Sequence, residues 1–193
     1  MDNQTAYLFV FDGFADWEPA SAVAELRRTF GFPVQTIGLT RNPVKSMGGL
    51  KILPDIPIHE AEPDLTSILI LPGGDAWMQG EMKEVTGLVR AVTEADTPVA
   101  AICAATLSLA YAGLLDDHRH TSNGNGFISN HVPKYRGHGL YQKLRAVRDG
   151  NVITANGLAP FAFAAEIFRT VAPDRIDDIV TYEGLYSRGL LDD

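Results

Sequence analysis

Short apolar runs alternate along this chain with segments in which apolar residues return at helical spacing. The runs at residues 6–11, 67–71 and 99–102 are almost wholly apolar, which is typical of strands covered on both faces in a parallel sheet. A further strand is predicted at residues 33–39. Together these runs predict the centre of a β-sheet.

Between the strands, apolar residues recur three or four positions apart, which predicts helices with one face in the core. The core positions of four helices are Ala22, Val23, Leu26 and Phe30, then Val85, Leu88, Val89 and Val92, then Leu107, Ala110, Tyr111 and Leu114, and finally Phe161, Ala164, Phe168 and Val171. A last helix is predicted at residues 176–185, and Pro19 is placed at the first position of the first helix. This alternation predicts an α/β fold with a doubly wound, mostly parallel sheet and helices on both faces.

Two stretches carry hairpin signals, and one has no regular pattern. An Asp-Gly pair separates the runs at residues 144–148 and 151–155, which predicts a hairpin. Two adjacent glycines predict a short hairpin or extended piece at residues 47–53. Residues 116–139 are polar and contain four of the five histidines. Long irregular segments in compact domains are often functional.

The composition is that of one globular domain spanning residues 1–193. The formal charge is −8 and no basic run offsets it, so neither nucleic acid nor membrane is an expected partner. The single cysteine excludes an intramolecular disulfide framework and fits a reducing compartment. The first residues lack the basic region of a secretory signal, and no apolar run reaches membrane-spanning length. A cytoplasmic protein is therefore expected.

Cys103 stands where the apolar strand at residues 99–102 passes directly into a helical pattern. Ala104 and Ala105 are small enough for a tight bend there, which is the geometry of a nucleophile elbow with sulfur in place of a hydroxyl. Because a helix N-terminus favours negative charge, we expect the thiol pKa to be lowered. The alternative is a small residue buried at a strand end, where free cysteines are often found.

Two further loops follow predicted strands, and ligands of open α/β sheets bind at the carboxyl ends of the strands. One holds Glu18 and the other holds Gly73 and Gly74. The glycine N–H groups, with that of Ala104, would suit an oxyanion, and Glu18 would share a proton with the Cys103 sulfur. The alternatives are a plain turn after the strand and an acid that complements the helix dipole.

Three motifs resemble the ThiJ/PfpI superfamily: AAICAAT, LILPGGDAW and GFADWEPA. The resemblance covers nearly the whole chain and implies a flavodoxin-like fold of the class I glutamine amidotransferase type. It implies that Cys103 is the elbow cysteine, Glu18 its protonated carboxyl partner, and Gly73, Gly74 and Ala104 the oxyanion hole. It also implies a homodimer or larger assembly. Family activities include peptidase or amidase, glyoxalase or deglycase, and redox-sensing or chaperone functions.

The chain departs from the family pattern at the general base. Protease-like members carry histidine directly after the elbow cysteine, where this chain has Ala104, and other members place a histidine where Asn123 stands. His120 and Asn123 are therefore the candidates for this position. In an extended segment Asn123 would share a face with Thr121 while His120 points away. Histidines in polar loops are usually solvated.

Substrate-binding candidates are Tyr135 and Arg136, because arginine binds carboxylates bidentately and tyrosine is able to cap a crevice. The alternative is a solvated arginine beside a half-buried tyrosine. Trp77 is a candidate wall of the site, although core packing explains a tryptophan equally well. No metal site is predicted, since the cysteine has no histidine at ligand spacing, and no cofactor is expected.

Two functions compete at this point. The first is a cysteine-nucleophile hydrolase or amidase, or a glyoxalase-like enzyme, acting on a small carbonyl or amide substrate. The second is a non-enzymatic redox or stress sensor that responds through oxidation of Cys103. The missing histidine favours the sensor, while the glycine-lined anion pocket favours the enzyme. A homodimer is also expected, since Phe14, Trp17 and Phe32 lie near predicted exposed loops.

Overall fold

The computed structural model describes residues 5–188. Its strands are β1 (Thr5–Phe9), β2 (Val34–Gly38), β3 (Val44–Lys45), β4 (Lys51–Ile52), β5 (Ile56–Pro57), β6 (Thr66–Leu71), β7 (Val99–Ile102), β8 (Ala146–Asp149) and β9 (Val152–Ala155). Its helices are α1 (Trp17–Arg28), α2 (Lys83–Glu94), α3 (Thr106–Ala112), α4 (Phe127–His131), α5 (Pro160–Val171) and α6 (Ile176–Arg188).

Seven of the described strands form one sheet in the order β5-β2-β1-β6-β7-β9-β8. Every neighbouring pair is parallel except β8 and β9, which form an antiparallel hairpin. The short strands β3 and β4 pair separately. The predicted mostly parallel α/β sheet is therefore confirmed.

The core lies on both faces of the central strands. All six residues of β6 and all four of β7 are buried, as expected for strands with helices on either side. Helices α1 and α5 pack together against one face, and α2 packs with α3 against the other; α6 packs on α5. The predicted core positions of α2 are all buried, and most of those in the other helices are buried or partly buried. Phe161 is an exception: it is 43% exposed and stacks on Tyr186 of α6.

Differences from the predicted elements concern boundaries, the short helix α4 and the two-residue edge strand β5, which the sequence pattern did not predict. Helix α1 begins at Trp17, so that Pro19 occupies its third position rather than its first. Helix α3 ends at Gly113, which has a φ of +87°, so Leu114 lies beyond it. Helix α4 falls within the segment predicted to be irregular, because five residues are too few to show a helical period.

Four chain segments meet at one edge of the sheet because they follow parallel strands. They are the β1–α1 connection, the Gly73 turn after β6, Cys103 after β7 and the loop after β9. The candidate site lies where these four segments meet, at the carboxyl ends of the strands.

Candidate active site

Cys103 follows β7 directly and adopts a φ of +61°. A positive φ is uncommon for a residue with a side chain, and it occurs at sites that hold strain for function. The Thr106 hydroxyl donates to the Cys103 carbonyl at 2.8 Å, and the Ser122 hydroxyl lies 2.6 Å from that of Thr106. The predicted sharp bend from strand to helix is confirmed.

Glu18 lies in the first turn of α1 with 1% of its surface exposed. One carboxyl oxygen, Oε2, accepts the Gly73 N–H at 2.6 Å, and the carboxyl also bonds to the Cys103 thiol. A Cβ at position 73 would lie 2.6 Å from both Glu18 Oε2 and the Cys103 Cβ. Glycine is therefore required at position 73 for the carboxyl to reach the thiol.

The surroundings raise the pKa values of both partners. Burial raises the pKa of Glu18 above its usual value, against the opposing effects of the hydrogen bonds from Gly73 and Cys103. Burial, assisted by the adjacent Glu18 charge, raises the pKa of the Cys103 thiol to about 11, although hydrogen bonds from Asn123 and the Ala104 N–H favour the thiolate. The prediction of a lowered thiol pKa is wrong, because desolvation outweighs the effect of the helix N-terminus.

Asn123 contacts the thiol on another side. Its Nδ2 lies 3.2 Å from the Cys103 Sγ, and its Oδ1 accepts the Gly157 N–H at 3.0 Å. Since Gly157 supplies a donor, the amide oxygen is held away from the sulfur and the amide nitrogen is directed at it. Asn123 therefore supplies a fixed, non-titrating donor to the sulfur.

Gly157 is a site residue that sequence reasoning missed. A Cβ at this position would lie 2.8 Å from the Cys103 Sγ and 3.2 Å from the Glu18 Oε1. The sequence pattern that could have identified it is a glycine just after the strand at residues 151–155. Gly73 follows its strand in the same way. The thiol thus lies between two glycines that leave room for it.

The three predicted oxyanion-hole residues have different surroundings. The Gly73 N–H is bonded to Glu18, and the Ala104 N–H is bonded to the Cys103 sulfur. A Cβ at Gly74 would instead meet the Gly13 carbonyl oxygen and the Phe11 ring at 2.8 Å. The structure thus brings Gly73 and Ala104 to the thiol–carboxyl pair and turns Gly74 toward the core.

A cavity of about 640 Å³ opens over this pair. Its lining residues are Trp17, Glu18, Cys103, Ser122, Asn123, Gly124, Tyr141, Lys143, Leu144, Arg145, Asn156, Gly157 and Leu158. The volume lies within the usual range of small-molecule sites. A reactive group at Cys103 is therefore accessible to a small molecule.

The structure does not bring His120 to the thiol. The ring is fully buried, with Nδ1 2.7 Å from the His118 carbonyl oxygen and Nε2 2.6 Å from the Tyr135 hydroxyl. The carbonyl requires a proton on Nδ1, so Nε2 accepts from Tyr135. Burial lowers the pKa of His120 and raises the pKa of Tyr135 to about 12. Both side chains are engaged with each other.

The three predicted substrate-binding residues also lie outside the cavity lining. Tyr135 is 7% exposed and bonded to His120, while Arg136 pairs with Asp116 at 3.1 Å. Trp77 is 2% exposed, and its indole donates to the Pro72 carbonyl at 2.9 Å. Arg136 is therefore a surface arginine and Trp77 a core tryptophan, as the alternative interpretations of the sequence proposed.

Within residues 5–188, no group of three or more His, Cys, Asp or Glu side chains is arranged to hold a metal ion. None of the helices in this described part is both long and apolar enough to cross a bilayer.

A sequence model of the DJ-1/PfpI family matches residues 4–170. The chain is 36% identical to the uncharacterized protease YoaZ of Bacillus subtilis, over 91% of this chain and 89% of that protein. It is 29% identical to the protein dj-1beta of Drosophila melanogaster, over 88% and 90% of the two chains.

The chain is also similar to solved structures of proteins from this family. A thiJ/pfpI family protein from Bacillus anthracis superposes with a TM-score of 0.90 at 33% identity, covering 97% of this chain and 92% of that one. A DJ-1 superfamily protein from Agrobacterium tumefaciens superposes with a TM-score of 0.85 at 34% identity, covering 95% and 99%.

Proposed function

The chain belongs to the DJ-1/PfpI family, and from its site we propose that it is an enzyme in which Cys103 attacks a small carbonyl compound. The observation that carries this proposal is the contact between the thiol and the buried Glu18 carboxyl beneath an open cavity. A thiol with a raised pKa needs a base at the moment of attack, and Glu18 is the group in contact with it.

The proposed step is addition of the thiol across the carbonyl group. A bond forms between the sulfur and the carbonyl carbon while the thiol proton passes to Glu18. Glu18 then gives this proton to the carbonyl oxygen, which leaves a thiohemiacetal intermediate on Cys103 from which the product must still be released. The hydrogen bonds from Asn123 and the Ala104 N–H stabilise the sulfur as it becomes thiolate-like in the transition state.

A carbonyl substrate fits this site better than an amide. Amide cleavage requires protonation of a leaving amine and activation of water, tasks for which many cysteine hydrolases use histidine. Of the described residues that line the cavity, none is histidine, and Glu18 is the single carboxyl. Addition to an aldehyde releases no amine, so that one carboxyl is enough to move the proton.

A second candidate function is redox sensing, with Cys103 oxidised to a sulfinic acid. It is favoured by two donors directed at the sulfur itself, the Asn123 amide and the Ala104 N–H. These donors, with a protonated Glu18, would bind the oxygens of a sulfinate. Either function requires a reduced resting thiol, which fits a reducing compartment such as the cytoplasm.

The deciding experiment is a screen of small aldehydes, amides and dipeptides with the wild type and Cys103→Ala side by side. Turnover of aldehydes that the variant loses supports the proposed enzyme. If no class of compound is turned over while mild peroxide still oxidises Cys103, the sensor is the better description.

We also propose that the chain forms a homodimer. Phe14 offers no support, because only 2% of its surface is exposed. Trp17 is 51% exposed, and Leu144 and Leu158, which line the same cavity, are 57% and 96% exposed. Exposed apolar side chains concentrated in one region are typical of an interaction surface.

A further inference from the structure

Two basic side chains line the cavity above Cys103. We propose that Lys143 and Arg145 bind an anionic group of the substrate, so that the enzyme selects small carbonyl compounds that carry a carboxylate or a similar anion. This inference rests on the proposed function, since it names the substrate class of the same site.

Within the described part of the chain, Arg145 differs from most arginines because it has no acidic partner. The arginines that form ion pairs with carboxylates are Arg28, Arg41, Arg119, Arg136, Arg148, Arg169 and Arg175. Among the described residues, neither Arg145 nor Lys143 makes an ion pair or a side-chain hydrogen bond, although both line the cavity with Cys103. Both charges are therefore available to a ligand.

The backbone that carries these two side chains is held in place. The Thr121 hydroxyl donates to the Leu144 carbonyl at 2.9 Å, and the Asn156 N–H donates to the Arg145 carbonyl at 3.1 Å. Asn156 precedes Gly157, whose N–H holds Asn123 against the thiol. The basic segment and the reactive sulfur are thus connected through one short loop, which fixes the region where an anion would sit relative to Cys103.

The charge balance of the cavity is opposite to that of the chain. The chain has a formal charge of −8, whereas the described cavity lining contains Lys143, Arg145 and a single acid, Glu18. The two cations outnumber this one acid even when Glu18 is ionised, so the lining carries a net positive charge. A cavity with low-dielectric walls focuses such a field and raises the local concentration of anions.

The test compares two alkylating agents of similar size, anionic iodoacetate and neutral iodoacetamide, as probes of Cys103. The measured quantity is the rate of labelling by iodoacetate divided by the rate of labelling by iodoacetamide on the folded protein. This ratio is then divided by the same ratio for the urea-unfolded chain. A change in thiol pKa affects both reagents equally, so this ratio isolates attraction of the anion. We expect it to fall about three- to tenfold in Lys143→Gln/Arg145→Gln at low ionic strength, and less at high salt.

The matched control is Arg27→Gln/Lys83→Gln, which removes the same charge from exposed positions on α1 and α2. It should leave the ratio at the wild-type value. The proposal is overturned if both double variants change the ratio equally, if neither changes it, or if neither reagent labels folded Cys103.

The outcomes also separate this inference from the proposed enzyme. Cys103-dependent turnover with an unchanged labelling ratio would leave the enzyme standing and remove anion selection. A fall in the ratio without turnover of any carbonyl compound would support anion recognition at Cys103 and remove the proposed reaction.

Discussion

Asn123 donates to the Cys103 thiol, its Nδ2 lying 3.2 Å from the Sγ. An amide does not act as an acid or a base near neutral pH, so this contact stabilises a thiolate without being able to generate one. The Ala104 N–H does not titrate either, so the Glu18 carboxyl is the group in contact with the sulfur that is able to take the proton. Substitutions of the fixed donor and of the titrating carboxyl should therefore have different effects on the pKa of the thiol.

Replacing Glu18 with glutamine should make the thiol easier to ionise and the proposed reaction slower. Glu18→Gln removes a negative charge that raises the pKa of Cys103, so we expect alkylation near pH 8 to accelerate by about tenfold per pKa unit lost. Turnover should fall, because glutamine cannot carry the proton. Glu84→Gln, an exposed acid in α2, is the control. Slower labelling in Glu18→Gln would contradict this account.

The raised thiol pKa predicts an alkaline loss of stability. The folded-state pKa of about 11 lies above the usual thiol value of 9.0, so the stabilisation is present below about pH 9 and is lost as the pH rises through about 11. Its size is at most about 3 kcal/mol. Urea denaturation of the wild type and Cys103→Ser across this range measures it. Parallel pH dependences of the two proteins would argue against a raised pKa.

Asn123→Asp is nearly isosteric and replaces the donor to the sulfur with a negative charge. We expect the pKa of Cys103 to rise further and alkylation at pH 9 to slow by about tenfold or more, since both the lost hydrogen bond and the added charge oppose the thiolate. The same substitution at Asn42, in the exposed β2–β3 connection, serves as the control. An unchanged labelling rate in Asn123→Asp would mean that this contact does not influence the thiol.

Gly157→Ala tests the close packing around the sulfur. The added Cβ would lie 2.8 Å from Sγ, so either the thiol or the loop must move, and an active site is sensitive to such displacements. We expect turnover to fall by about a hundredfold with little change in the melting temperature. Gly139→Ala, where a Cβ has no neighbour within 4 Å, should retain activity. Full activity in Gly157→Ala would remove this glycine from the site.

Light scattering tests the proposed dimer. We expect a mass of twice the 20.9 kDa chain, and a shift toward the monomer in Leu158→Asp, because a charge would replace a side chain that is 96% exposed and proposed to be covered. A monomer at every concentration would contradict the dimer.

The sequence by itself determined the order of the main strands and helices and the bend at Cys103. Apolar runs and helical spacing are local properties that survive in any tertiary context, and the change of period at residue 103 lies where β7 ends. The rule that parallel strands end at one edge also brought Glu18 and Gly73 to the thiol. These inferences needed only chain direction and period.

Tertiary structure alone decided the chemistry of the thiol and the residues around it. The direction of the thiol pKa depended on how much water burial removes, which no local motif encodes, and this reversed the prediction. The choice between His120 and Asn123 depended on which side of an irregular segment faces the sulfur. Gly157 reaches Cys103 only because β9 lies beside β7 in the sheet, a contact between residues distant in the chain.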